Sequence, residues 1–241
     1  MEPYPRFLPV GDAALTVEFG DAIDPAINAA VVALDMCLAA SDVDGIIETV
    51  PSYRSLLIRY DPAEIGFDPL VAALRPLIGQ DVWSDGPGGR RWIVPVSYDA
   101  PFATDLPEVA ERFGMAAEQV IAAHTEPDYK VYTVGFAPGM PLMGGLPAPL
   151  HIPRRQSPRP GVPAGAVIIG GMQAAIVPVV TLSGWYILGQ TPVRPFDPRR
   201  GNPFLFRHGD TVRFRSINTA EYHRMAALPW DELFSLIEAT P

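Results

Sequence analysis

Lysine and cysteine are almost absent from this 241-residue chain: Lys130 is the only lysine and Cys37 the only cysteine. A lone cysteine excludes an internal disulfide and suits a reducing cytosol. The N-terminal MEPYPRFLPVGD carries acid and proline where a secretory signal would be basic and then apolar. A soluble, cytoplasmic protein is therefore expected. The net charge of -9 argues against non-specific nucleic-acid binding, because a phosphate backbone is held by a basic field. Any phosphate chemistry would fall to a local cluster of arginines. The sequence contains no GxxxxGK[ST], HExxH, CxxC or GxSxG, so it has no local signature of a Walker phosphate loop, a protein-made zinc site or a nucleophile elbow.

Charge is also missing from one long stretch. Between Arg159 and Arg194 the chain reads PGVPAGAVIIGGMQAAIVPVVTLSGWYILGQTPV, without one charged side chain. In water such a stretch has to be buried. A membrane helix needs about 20 uninterrupted apolar residues, whereas Gly161, Pro163, Gly165, Gly170, Gly171, Pro178 and Gly184 cut this run into pieces of strand length. The pieces are rich in Val and Ile, as buried strands are. They read as consecutive strands of a closed or nearly closed sheet, with glycine and proline at corners, bulges and edges.

At about 150 residues per domain, the length allows one large or two ordinary domains. Residues 1–88 read as a small α+β domain. Leu15, Val17 and Phe19 alternate with Thr16 and Glu18, the pattern of a half-buried strand. Asp24-Pro25 starts a helix whose apolar stripe is Ile27, Val31, Leu34 and Leu38. Cys37 beside that stripe reads as a small buried hydrophobe. Strand-like runs follow at 46–50 and 55–60, then a second helix start at Asp68-Pro69. Strand, helix, strand, strand, helix and a further strand is the order of the ferredoxin-like, split βαβ arrangement. The run Asp85-Gly86-Pro87-Gly88-Gly89 has linker composition and marks the boundary. Residues 89–241 then supply a strand at 92–98, helices near 106–113 and 117–124, barrel strands at 130–135, 166–170, 174–180, 184–188 and 211–217, and a terminal helix at 229–237.

Candidate functional residues gather around the barrel. His124 closes a helix just before the glycine-rich motif Gly135-Phe136-Ala137-Pro138-Gly139-Met140-Pro141-Leu142-Met143-Gly144-Gly145-Leu146. Glycine at that density lets backbone amides approach a ligand, and it also simply makes turns. Arg154, Arg155 and Arg159 are spaced to clamp a carboxylate or phosphate, or to form surface ion pairs on a solvated loop. Gln173 lies inside the uncharged run, so once buried its amide needs partners. Trp185 and Tyr186 read as core or rim residues. His151, His208 and His223 have no carboxylate or second histidine at catalytic spacing and read as structural or surface residues.

Six segments also carry a resemblance: VGDAALTVEFGDAID from Val10, VPSYRSLLIRYDP from Val50, HTEPDYKVYTVGFAPGMPLMGGLP from His124, PRRQSPRPGVPAGAV from Pro153, GWYILGQTPVRPFDP from Gly184 and HGDTVRF from His208. In order and at normal spacing, they resemble the KipI family, also called allophanate hydrolase subunit one or the B-type 5-oxoprolinase subunit. The resemblance implies a ferredoxin-like N-terminal domain and a cyclophilin-like β-barrel. It implies a KipA-like large subunit and a LamB/YcsF-type protein as partners in an ATP-dependent 5-oxoprolinase, with Mg expected beside the nucleotide. One member of the family instead inhibits a sporulation histidine kinase, and fused relatives form the carboxyltransferase part of urea carboxylase.

In the 5-oxoprolinase reading, ATP phosphorylates the lactam oxygen, and the phosphoryl group in transfer needs positive charge and oriented donors. The resemblance then makes His124, Arg155 and Gln173 the catalytic candidates. Tyr132, Phe136, Gly139, Arg154, Arg159, Trp185 and Thr191 become substrate-binding candidates, with Asp197 in a matching motif. The chain departs from the family pattern at Met140, Leu142, Met172, Ala174, Ala175, Val177, Gln190 and Ala166, which removes hydroxyls and a charge from the expected pocket. Each lost hydrogen bond is worth about 0.5–1.5 kcal/mol. Three readings stand at this stage: amidohydrolase subunit, kinase-inhibiting regulatory protein, and carboxyltransferase partner.

Overall fold

A computed structural model describes residues 3–41, 43–78 and 89–239, and the chain divides into two compact units between Gly88 and Gly89. The expected linker lies outside the described residues except for Gly89.

The first unit contains β1 (Arg6–Pro9), β2 (Ala14–Glu18), α1 (Pro25–Ala40), β3 (Ile46–Pro51), β4 (Ser55–Tyr60) and α2 (Phe67–Leu74). Asp24 caps α1, its carboxylate accepting from the backbone N–H of Ala26 at 2.8 Å and of Ile27 at 3.2 Å, while Pro25 sits where no helical donor is needed. The strands form an antiparallel sheet in the order β1-β2-β4-β3. Because β4 lies between β2 and β3, the segment β2-α1-β3 is a split βαβ unit. Leu15, Val17, Leu34, Ile58 and Leu70 are buried together between sheet and helices.

One expectation for this unit is corrected. The edge beside β2 is not filled by a strand following the second helix. β1 fills it, folding back as a hairpin with Arg6 opposite Glu18 and Pro9 opposite Leu15, and Arg6 forms an ion pair with Glu18. At four residues flanked by prolines, RFLP is too short to show a period, which is why the sequence did not reveal it. The run at 92–98 is a strand of the second unit's sheet.

The second unit contains β5 (Arg91–Ser97), α3 (Leu106–Phe113), α4 (Ala117–Thr125), β6 (Asp128–Val134), β7 (Pro141–Gly144), β8 (Arg159–Val162), β9 (Ala166–Gly170), β10 (Gln173–Ile176), β11 (Thr181–Ser183), β12 (Tyr186–Gln190), β13 (Thr211–Ile217), α5 (Thr219–Ala226), α6 (Trp230–Ile237) and β14 (Glu238–Ala239). Seven strands run in the order β12-β9-β10-β7-β6-β13-β5, and the pairing of Gln190 with Ser97 closes the ring. Closure leaves the seven strands without an open edge. β14 adds to β5, and β8 pairs with β11 in a separate two-stranded ribbon.

Strands β9, β10 and β12 are buried on both faces. Val167, Ile169, Ala174, Ile176, Tyr186 and Leu188 join the main core with Trp92 and Phe214. Their sequence neighbours Ala166, Ile168, Ala175, Val177, Trp185 and Ile187 face the other way, into a second cluster with Met140 and Val162. Neither face meets water, which accounts for the absence of charge from these three strands; elsewhere in the uncharged stretch Met172, Val179, Val180 and Leu182 are exposed. Each fully buried Val or Ile here contributes about 1.5–3 kcal/mol. The ribbon is a departure from expectation, since β8 and β11 come from the uncharged run but pair with each other, outside the barrel ring.

Candidate functional site

A recess of about 320 Å³ opens on the side of the sheet that carries the second cluster. Its apolar walls are Phe136, Met140, Leu142, Leu182 and Trp185, and Arg154 and Arg155 also line it. Trp185 lies against Gly170, where an added Cβ would fall 2.7 Å from the indole Cγ; only glycine lets the ring settle there. Above the recess the turn from Gly135 to Gly139 holds Phe136 at φ 68°, the one non-glycine residue with positive φ among the described residues. That conformation costs a residue with a Cβ about 1–2 kcal/mol. The Phe136 side chain is also in water, with the residue 79% exposed. Gly139 completes the turn, buried, with φ 74° and tight against Phe196.

Two of the three arginines expected to form a clamp are engaged by an aspartate that was not among the candidates. Asp105, 2% exposed, accepts from Arg155 Nη2 at 2.9 Å, from Arg159 Nη1 at 2.9 Å and Nη2 at 2.6 Å, and from the Ile187 backbone N–H at 2.8 Å. Arg155 also donates to Glu108 and lies over the Tyr186 ring at 4.2 Å. The hydrogen bond to Glu108, followed by the nearby carboxylate charges, pushes the Arg155 guanidinium further up. Two arginines and two acids thus neutralise one another and pin the 155–159 loop to α3. Arg154 remains, exposed, 5.3 Å above the Trp185 ring and without an ion pair among the described residues. The anion-binding capacity of the recess is one guanidinium.

His124 does not share this recess, contrary to expectation. It is 0% exposed, stacked on Phe214 at 4.7 Å, with Nδ1 2.8 Å from the Tyr98 hydroxyl. The Tyr129 hydroxyl donates to the His124 carbonyl at 2.9 Å. All three aromatic neighbours belong to the main core, and His124 does not line the recess that Arg155 lines. Burial pushes its pKa down to about 3, leaving a neutral ring that ties α4 to the barrel.

Alternation along the strands places the other candidates. Gln173, 9% exposed, is on the face of Ala175, and so on the side of Trp185 and Leu142, but it does not line the recess. Tyr132, at a bulge in β6, packs its ring over Gly144 on the same side. Thr191 and Asp197 line a different recess of about 640 Å³. Thr191 is buried, its hydroxyl accepting from the Val193 N–H. The Arg199 guanidinium holds the Asp197 carboxyl well below the usual range. His151 Nε2 donates to the Leu146 carbonyl at 2.9 Å, and none of the remaining histidines lines the recess beside Arg154.

Magnesium with a nucleotide triphosphate asks for oxygen ligands and several free cationic donors. Among the described residues there is no group of three or more His, Cys, Asp or Glu that could hold a metal ion. Arg155 and Arg159 are already engaged by carboxylates. The recess does not fit that group. One further signal was available for Asp105: Asp105-Leu106-Pro107 resembles the helix starts at Asp24 and Asp68. It would have placed the aspartate at the head of α3, as observed, but not beside guanidinium groups some 50 residues on. Among the described residues no helix is long and apolar enough to cross a membrane.

Residues 5–206 match the family model described as carboxyltransferase domain, subdomain C and D. The B-type 5-oxoprolinase subunit of Bacillus subtilis is 35% identical over 224 residues, covering 89% of this chain and 93% of its own length. Among solved structures, the protein TTHA0988 superposes with a TM-score of 0.76 at 36% identity over 85% of this chain, which spans 40% of that longer chain. The urea carboxylase of Kluyveromyces lactis superposes at 0.74 with 20% identity, over 91% of this chain and 22% of its own, a likeness of fold.

Proposed function

The chain belongs to the carboxyltransferase family, subdomains C and D, and from that premise we propose that it is a non-autonomous subunit of a 5-oxoprolinase, an ATP-dependent amidohydrolase that converts 5-oxoproline to glutamate. The observation that carries this reading is the 35% identity to a B-type 5-oxoprolinase subunit along 93% of that protein's length. The recess supports it: apolar walls suit the ring of a small cyclic amide, and Arg154 suits a carboxylate. The recess offers no Asp, Glu or His as acid or base, which supports a site completed by other chains. A KipA-like large subunit and a LamB/YcsF-type protein are the proposed partners, and they would hold ATP and Mg. In this role the chain's own work is to bind and orient the substrate and to exclude water from its ring.

Reconstitution with both partners tests the reading. ATP hydrolysis that rises on adding 5-oxoproline, and that requires this chain, is the expected result. Hydrolysis indifferent to 5-oxoproline overturns it. The family description favours one second reading, a carboxyltransferase partner acting on a biotin-borne carboxylate; carboxyl transfer from a biotinylated carrier by the same complex would establish that one instead.

A further inference from the structure

The recess combines three features that no interaction within the chain explains together. Its walls are apolar, its only uncompensated cation among the described residues is Arg154, and Phe136 holds an unfavourable backbone conformation while leaving its ring in water. Leu182, across the opening on β11, is 55% exposed. We propose that this recess admits a small ring-shaped monocarboxylate and rejects the ring-opened product, Arg154 taking the carboxylate and Phe136 closing on the ring against Leu182 and Trp185. This rests on the amidohydrolase reading and adds which chemical state of the substrate the site accepts.

The argument is one of charge. Hydrolysis of a cyclic amide breaks its C–N bond; the oxygen of water goes to the carbonyl carbon, which becomes a carboxylate, and protons go to the nitrogen, which becomes an ammonium. The ring and its single charge are replaced by an open chain with three. The ammonium meets no carboxylate in the lining. The second carboxylate meets only Arg155, whose guanidinium already serves Asp105 and Glu108. Removing unpaired charges from water opposes binding, so the product is driven out, while a ring monoanion pairs its one charge and buries an apolar body. Polyphosphates and dicarboxylates are disfavoured for the same reason.

Calorimetry on the full chain with 5-oxoproline, 2-pyrrolidinone and glutamate tests this, together with KM and product inhibition in the reconstituted complex. 5-Oxoproline is expected to bind at least about tenfold more tightly than either other compound, the size of one charge-assisted hydrogen bond. Arg154→Gln should bring it down to the level of 2-pyrrolidinone and raise KM more than it lowers kcat. Phe136→Ala should weaken both ring compounds alike, and Phe136→Leu should restore part of the loss. Glutamate binding as tightly as 5-oxoproline overturns the proposal, as does an Arg154→Gln variant with unchanged Kd and KM. A complex without 5-oxoproline-dependent ATP hydrolysis, built on a chain that still prefers ring monocarboxylates, sinks the amidohydrolase reading and leaves the recess as proposed. An active complex indifferent to Arg154 does the reverse.

Discussion

Asp105 and Arg159 meet fork to fork, Nη1 on Oδ2 at 2.9 Å and Nη2 on Oδ1 at 2.6 Å, with the carboxylate almost fully buried at the head of α3. The pair joins the head of α3 to the start of β8, 54 residues apart in sequence, and Arg155 shares the same carboxylate. It converts what looked like an anion-binding cluster into a structural tie, and it leaves Arg154 as the group that can meet a ligand.

Removing the carboxylate should therefore act on stability before it acts on binding. Asp105→Ala leaves Arg159 without a carboxylate, Arg155 with Glu108 alone and the buried Ile187 N–H without this acceptor, a loss of about 1–3 kcal/mol. Urea denaturation checks this as a lower midpoint at unchanged slope. Arg159→Gln should cost clearly less, because Arg155 and the Ile187 N–H still hold Asp105.

His124 should make stability fall in mild acid. In the unfolded chain it titrates near 6.5, whereas burial lowers it to about 3 in the folded protein. Between those values the unfolded state binds the additional proton, so the contribution is complete above about pH 6.5 and is lost as pH falls toward 3, at up to about 1.4 kcal/mol per pH unit. Denaturation curves at pH 7, 6 and 5 should show that slope in the native chain and a shallower one in His124→Leu. The same variant in the reconstituted complex should keep its kcat to the extent that it remains folded; a large loss of kcat with the fold intact would return His124 to the catalytic machinery.

Phe136 offers a test of backbone strain. Phe136→Ala keeps the left-handed penalty and Phe136→Gly sheds it, so the glycine variant should be the more stable of the two by about 1 kcal/mol. Thermal melts of the two variants side by side measure the difference, and equal melting temperatures would mean that the turn relaxes on its own.

Gly170→Ala should displace the floor of the recess. The added methyl would lie within 3 Å of three Trp185 ring atoms, and overpacking of this kind costs about 1–3 kcal/mol. A shift in tryptophan emission, with weaker ligand binding, is the expected signature.

Much of this architecture was legible in the chain. The strands at 55–60, 166–170 and 211–217 and the helix at 106–113 agree with the structure residue for residue, because period-2 and helical apolar patterns, Asp-Pro starts and the terminal Gly114 are local signals. β1, β7 and the β8–β11 ribbon were not legible, being three or four residues long, with proline or glycine inside all but β11.

By itself, the sequence determined that the Val- and Ile-rich pieces of a 34-residue stretch without charge are buried, and its glycines and prolines limit them to short strands; that Val180 and Leu182 are exposed was not legible. What it could not determine is which side chains come together across the fold. His124, Gln173 and Arg155 stand within 50 residues of one another in the chain, yet only Arg155 lines the recess: α4 buries His124 among Tyr98, Tyr129 and Phe214, and Gln173 is held in β10 away from the opening. Only the tertiary structure brings Asp105 to Arg155 and Arg159, and so decides that a single arginine is left to face a ligand.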